Sequence, residues 1–297
     1  MSDVLEPDSI EWWLADVRAF IMDAAPSLLP LFDIYSAEAI FGRRFIASDL
    51  ERLQPGARII EVGAGLLLLS CQLVREGFHV TALEPTASGF SHFEQMRRMV
   101  QQRATMLGFS PKVLDLNAEN LTTHNCFDYA FSINVMEHVD NVALVFANVG
   151  RSLVIGASYR FTCPNYLFPY EPHFNIPTLF SKRLTEIVLS QKILSSRDIP
   201  DPLGLWKSLN WISVVQVHRI SKKLPWIRVT FNPLLLVSTL ERISSDRNFS
   251  NRRSPTMRKL LILFVGLQLH HLLRFMPAIL QPVMDCRVEK ISDSGVY

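Results

Sequence analysis

The chain has 297 residues, 48% of them hydrophobic and 20% charged, with a formal net charge of +2. That is enough apolar side chain to bury a large core, and it excludes a disordered or collagen-like chain. Cys71, Cys126, Cys163 and Cys286 form no C-x-x-C pair and no zinc-finger spacing, so neither a disulfide framework nor a structural zinc is expected.

The amino-terminal residues are acidic and offer neither a basic start nor an apolar run, so no targeting segment is read and a cytoplasmic location is expected. Residues 11–25 and 35–53 place apolar side chains three and four apart. This spacing predicts two amphipathic helices, a helical cap over residues 1–54. Gln54-Pro55-Gly56 breaks the pattern, and ARIIEVGAG follows as an apolar run ending in glycines, a buried strand opening onto a tight turn.

Helices are then predicted at 66–76, 90–107 and 139–152, and strands at 79–83, 112–116, 127–133 and 158–162. Strands alternating with helices of this length predict an α/β fold with a doubly wound parallel sheet over residues 55–177, which binds ligands at the carboxyl ends of its strands. Residues 178–297 are a mixed extension, with helices at 178–192 and 234–243, a strand at 226–231 and an apolar helix at 260–273. The last is too short to span a bilayer and is expected to be buried. The second reading is a helix on a bilayer surface beside the Arg252/Arg253 and Arg258/Lys259 pairs. The charge there suits either an anionic partner or neutralisation of the acidic remainder of the fold: residues 1–203 hold 16 Lys/Arg against 23 Asp/Glu, residues 204–297 hold 14 against 5.

The glycines Gly63 and Gly65 of IIEVGAG let backbone approach a ligand where a Cβ would collide. A dinucleotide site of the G-x-G-x-x-G type would need glycine where Leu68 stands, and Glu61 suits a cationic ligand better than a pyrophosphate. E-x-G-x-G, followed about twenty residues later by Glu84 at the end of the next strand, resembles the class I S-adenosylmethionine-dependent methyltransferases. DLNAENL and FDYAFSINVMEHV resemble the same family's segments after the third strand and at the fourth.

The resemblance implies a mostly parallel, seven-stranded Rossmann-like sheet with amino-terminal helices and a helical carboxy-terminal extension, and S-adenosyl-L-methionine as cofactor. It implies that Glu61, Gly63 and Gly65 form the cofactor turn and that Glu84 accepts from the ribose hydroxyls. Asn117 and Ala118 would hold the adenine edge, Asn134 would border the cofactor, and Glu137-His138 would face the substrate. Two positions depart from the pattern: Leu67 stands where many members have a third glycine, and Asn134 where some quinone O-methyltransferases of this superfamily have a metal-binding carboxylate. No metal is therefore expected.

Methyl transfer from a sulfonium is an in-line displacement, so positioning and water exclusion supply most of the acceleration, and a protonated oxygen or nitrogen acceptor needs a base. His173 and His138 are the candidates. His173 belongs to CPNYLFPYEPHFNIP, fifteen residues with four prolines and four aromatic rings. Prolines limit the entropy lost on ordering and aromatics shed water, so this segment is expected to be an acceptor-site wall, with Asn165, Tyr170 and Glu171 making polar contacts; the alternative for Glu171 and His173 is a hydrogen-bonded pair that stiffens the loop. The expected activity is methyl transfer to an oxygen or nitrogen of a small-molecule, saccharide or lipid-linked acceptor, with peripheral membrane contact through the basic third. An NAD(P)-dependent oxidoreductase and a non-catalytic membrane-surface protein retaining the fold stand as alternatives. Sequence-specific nucleic-acid methylation is disfavoured, because Asn134-Val135-Met136-Glu137 replaces the D/N-P-P-Y/F tetrad.

Overall fold

The computed structural model of the chain describes residues 6, 8–85, 91–196, 199, 201–245 and 255–293. The expected helix start at Phe90 and the Arg252/Arg253 pair lie outside the described residues. Seven strands form one sheet in the order β3-β2-β1-β4-β5-β7-β6. They are β1 (Arg58–Val62), β2 (His79–Leu83), β3 (Lys112–Leu114), β4 (Phe127–Ile133), β5 (Leu153–Pro164), β6 (Ile227–Phe231) and β7 (Val283–Lys290). β1 pairs in parallel with β2 and with β4, and β2 with β3. The chain divides into two compact units.

The first unit comprises Met1–Ile133, Ala143–Arg160 and Glu289–Tyr297. The predicted cap helices, α1 (Ile10–Ala24) and α2 (Leu29–Leu50), belong to it rather than standing apart, because their apolar faces are part of its core. Ser9 caps α1 by accepting from Trp12 N at 3.2 Å. Buried Trp13 donates through Nε1 to the carbonyl of Leu68 at 3.0 Å, which ties α1 to the start of α3 (Leu68–Arg75) just behind the glycine turn. In α2, a Cβ at Gly42 would come within 2.8 Å of Leu69 and 3.3 Å of Ile133, so glycine is what lets α2 pack this closely. Near the end of α2, buried Asp49 accepts from Arg160 Nη1 at 2.9 Å and from Tyr129 OH at 3.0 Å, fastening the helix to β4 and β5. Both charges are withdrawn from water, and removing one partner of such a pair costs about 3–5 kcal/mol. Helices α4 (Ser91–Leu107) and α5 (Val142–Ser152) complete the alternation read from the sequence.

The second unit comprises Asn134–Val142 and Phe161–Val288, with α6 (Lys182–Leu194), α7 (Pro202–Ser208), α8 (Val214–Ser221), α9 (Leu234–Ser245) and α10 (Pro255–Gly266). The expected buried helix at 260–273 is corrected in two ways. α10 ends at Gly266, Gln268 adopts a left-handed φ of 57°, and a 3-10 segment, Leu269–Phe275, follows. The apolar side chains are also largely exposed, Leu263 at 59% and Leu272 at 64%. No described helix is long and apolar enough to cross a membrane.

Candidate active site

In the first unit, the parallel register that sets Val62 opposite Leu83 brings Gly63 and Glu84 to the same end of the sheet. Gly63 (φ 72°) and Gly65 (φ 52°) are both left-handed, a backbone that side chains rarely adopt. Gly63 N donates to Leu83 O at 2.8 Å, and Gly65 N donates to the Glu84 carboxylate at 2.9 Å. The turn is therefore locked against the strand that carries Glu84, with backbone rather than side chain facing outward. Burial raises the Glu84 pKa, and the Gly65 amide and then Arg97 oppose the shift.

Glu61 lies on β1, fully desolvated, and accepts from Ser70 Oγ of α3. Burial, resisted by the Ser70 hydrogen bond, pushes its pKa up to about 8. Asn117 precedes a single 3-10 turn, Ala118–Asn120, with its side chain exposed and Ala118 buried. β3 runs parallel to β2, so this turn follows the same end of the sheet. A left-handed glycine pair locked beside a carboxylate with hydrogen-bonding capacity to spare fits a ligand that carries vicinal hydroxyls.

The second unit begins at Asn134, left-handed at φ 54°, whose amide donates to Thr162 O at 2.9 Å. Glu137 and His138 follow on a short turn held by Asn210. Its Nδ2 donates to Met136 O at 2.8 Å and to Val139 O at 2.7 Å, and its backbone amide donates to Glu137 O at 2.8 Å. The segment after β5 closes on itself through paired backbone hydrogen bonds between Glu171 and Ile176. Glu171, with no exposed surface, accepts from His173 Nδ1 at 2.6 Å, Tyr166 OH at 3.2 Å and Phe174 N at 2.7 Å. The structure thus gives Glu171 the task of orienting His173 rather than an outward polar contact.

Asn165 is similarly committed to the backbone: its Nδ2 donates to the carbonyls of Ala278, Ile279 and Gln281, and its Oδ1 accepts from Leu167 N and Val214 N. Tyr170 is exposed and donates to Asn175 Oδ1 at 2.8 Å.

The His138 and His173 rings meet edge to face with centroids 5.4 Å apart. His138 Nδ1 lies 2.9 Å from Ser208 Oγ, which itself donates to Leu205 O. Burial, and then the neighbouring His173, lower the His138 pKa to about 4 against the opposite pull of Glu171. Glu137, His138 and His173 each place one potential ligand atom within 4.8 Å of the others. One carboxylate and two imidazoles can hold a divalent cation. The sequence reading, which expected no metal, did not bring His173 to Glu137-His138. Behind the histidines, Tyr166 stacks on Trp211 at 5.1 Å and Phe174 meets Trp206 edge-on at 5.6 Å. Ser208, Asn210 and the two tryptophans were missed from sequence, since LWKSLNWIS carries no motif that separates it from ordinary core packing.

A family described as "Methyltransferase domain" matches residues 60–161. Two Mycobacterium tuberculosis proteins, named Uncharacterized protein Rv1509 and Uncharacterized protein MT1557, are each 44% identical over 281 residues, 95% of this chain and 95% of theirs. Among solved structures, phosphoethanolamine N-methyltransferase 2 of Haemonchus contortus, in complex with S-adenosylhomocysteine, is similar at 17% identity and a TM-score of 0.49. The match covers 92% of this chain, which spans only 58% of that one. Geranyl diphosphate C-methyltransferase of Streptomyces coelicolor is similar at 12% identity and a TM-score of 0.48, over 86% of this chain and 79% of that one. With the domain match running from β1 into β5, the dinucleotide and non-catalytic alternatives fall away. The chain belongs to one family with the two mycobacterial proteins and is a class I, Rossmann-like S-adenosylmethionine-dependent methyltransferase.

Proposed function

We propose that the chain methylates an oxygen or nitrogen of a small, lipid-linked acceptor, with His173 taking the acceptor's proton. The observation that carries this reading is the Glu171–His173 pair. A carboxylate only accepts, so His173 donates from Nδ1, and Nε2 is the proton-accepting nitrogen of the neutral ring. Ser208 holds His138 in the same tautomer, and with its pKa lowered to about 4 that ring is neutral at pH 7. S-adenosylmethionine, when bound, supplies a methyl group on a sulfonium. Glu61, Gly63, Gly65, Glu84, Asn117, Ala118 and Asn134 are the residues proposed to hold it, Glu84 by accepting from the ribose hydroxyls. Tyr170 and the aromatic wall are proposed to meet the acceptor, with Glu171 and Asn165 positioning that wall. Glu137, His138 and His173 would hold a divalent cation if the reaction uses one.

A lipid-linked acceptor is supported by the exposed apolar face of α10 and the 3-10 segment, which carries Leu263, Leu272 and Phe275 beside Arg258, Lys259 and Arg274. Apolar side chains next to basic ones suit an anionic bilayer surface, at about 1 kcal/mol per basic residue near it.

Calorimetry with S-adenosylhomocysteine is expected to give one site per chain, weakened at least about 10-fold by Glu84→Ala, since hydrogen bonds to a charged group contribute about 1.5–3 kcal/mol. Unchanged affinity in that variant overturns the Glu84 assignment. Flotation with phosphatidylcholine vesicles is expected only when phosphatidylglycerol is added, and to be lost at high salt or in Leu263→Asp and Phe275→Asp. Failure to float, with methyl transfer to water-soluble saccharides, overturns the lipid-linked reading.

A further inference from the structure

A second carboxylate–imidazole cluster, made of residues with no part in the site above, lies in the carboxy-terminal portion of the second unit. Glu241 comes from α9, and His270 and His271 come from the 3-10 segment packed against it. One potential ligand atom of each lies within 4.8 Å of the other two. The adjacent histidine ring centroids lie 4.1 Å apart with their planes 35° apart. His270 is buried, while Glu241 and His271 are exposed.

The spacing decides between two readings. His270 Nε2 stands 3.4 Å from Glu241 Oε1, longer than the 2.7–3.2 Å of a good N–H···O hydrogen bond. Nitrogen and oxygen ligands at about 2.0–2.1 Å around a tetrahedral ion sit about 3.3 Å from one another. His270 Nδ1 is buried and has no hydrogen-bond partner among the described residues.

We propose that Glu241, His270 and His271 bind one divalent transition-metal ion of the zinc class. Two imidazoles and a carboxylate are a borderline donor set suited to zinc, and the exposure of Glu241 and His271 leaves the fourth position to water. The ion clamps the 3-10 segment to α9. The inference does not rest on the methyl-transfer reading.

The test uses the full chain without an affinity tag, stripped with a chelator and titrated with Co²⁺ by visible absorption and with Zn²⁺ by calorimetry. In the His138→Ala background, which disables the other cluster, one ion per chain is expected, with the intense visible bands of four-coordinate cobalt and a higher melting temperature in Zn²⁺. Glu241→Gln and His271→Ala, both at exposed positions, are expected to weaken binding at least about 10-fold and to abolish the thermal shift. His138→Ala, in the other cluster, is expected to leave the ion bound. No stoichiometric binding, binding that survives both Glu241→Gln and His271→Ala, or binding lost in His138→Ala overturns the proposal.

Discussion

His173 gains its chemical character from one neighbour. Glu171 is fully buried, receives three hydrogen bonds and lies two residues away in the chain, so the loop carries its own orienting group. Glu171→Gln replaces an acceptor-only carboxylate with an amide that must turn two N–H donors toward groups that already donate. The variant is expected to lose about 10- to 100-fold in kcat, less than the roughly 100- to 10,000-fold expected for His173→Ala as loss of a general base. S-adenosylhomocysteine affinity, measured by calorimetry, is expected to stay at the wild-type value in both. Equal loss of cofactor affinity and turnover would make the pair structural only. The sequence made His173 and Glu171 conspicuous because titratable residues are rare in a segment so rich in proline and aromatics. It could not divide their roles, because the burial that turns Glu171 inward comes from Tyr166, Phe174 and the backbone bridge to Ile176.

At the scale of elements, the turn carrying Glu137 and His138 is held by a residue far along the chain. Asn210 donates to the carbonyls of Met136 and Val139, and its Oδ1 accepts from Ile212 N at 3.0 Å. Asn210→Ala removes all three bonds and leaves partly buried carbonyls to find water. The expected cost is about 1–3 kcal/mol, seen as a fall in melting temperature of roughly 2–4 °C per kcal/mol lost in a chain of this size class. Turnover is expected to fall further than the population of folded protein accounts for, because His138 loses its frame. A variant with wild-type kcat and a lowered melting temperature would separate the turn from catalysis.

Local pattern located most of the elements around this turn, since β1 to β5 and α3 to α5 follow apolar periodicity and glycine breaks. Local pattern does not single out β7, although Met284, Cys286 and Val288 alternate as buried residues, because charged residues stand between them. α10 failed as a buried helix for the opposite reason: an apolar run shows the length of a helix but not what covers it.

For the whole molecule, two displaced titrations act in opposite directions over overlapping ranges of pH. Glu61, with a folded pKa of about 8 against an ordinary 4.5, keeps its proton while the unfolded chain loses one. Its contribution is therefore fully present below about pH 4.5 and is lost progressively as pH rises toward 8. His138, with a folded pKa of about 4 against an ordinary 6.5, stays neutral while the unfolded chain takes a proton. Its contribution is present above about pH 6.5 and is lost as pH falls toward 4. Together they place the expected stability maximum on the mildly acidic side of neutrality. Melting temperatures followed from pH 4 to 9 check this: Glu61→Gln is expected to remove the fall toward pH 8 and uncover a rise up to about pH 6.5, and His138→Asn to remove that rise and leave a fall that starts near pH 4.5. The strand that buries Glu61 also leads into the glycine turn, so the alkaline destabilisation is the cost of a carboxyl held at the base of the proposed cofactor site. If Glu61→Gln leaves the alkaline slope unchanged, the carboxyl is ionised in the folded protein at neutral pH, and its hydrogen bond from Ser70 outweighs its burial.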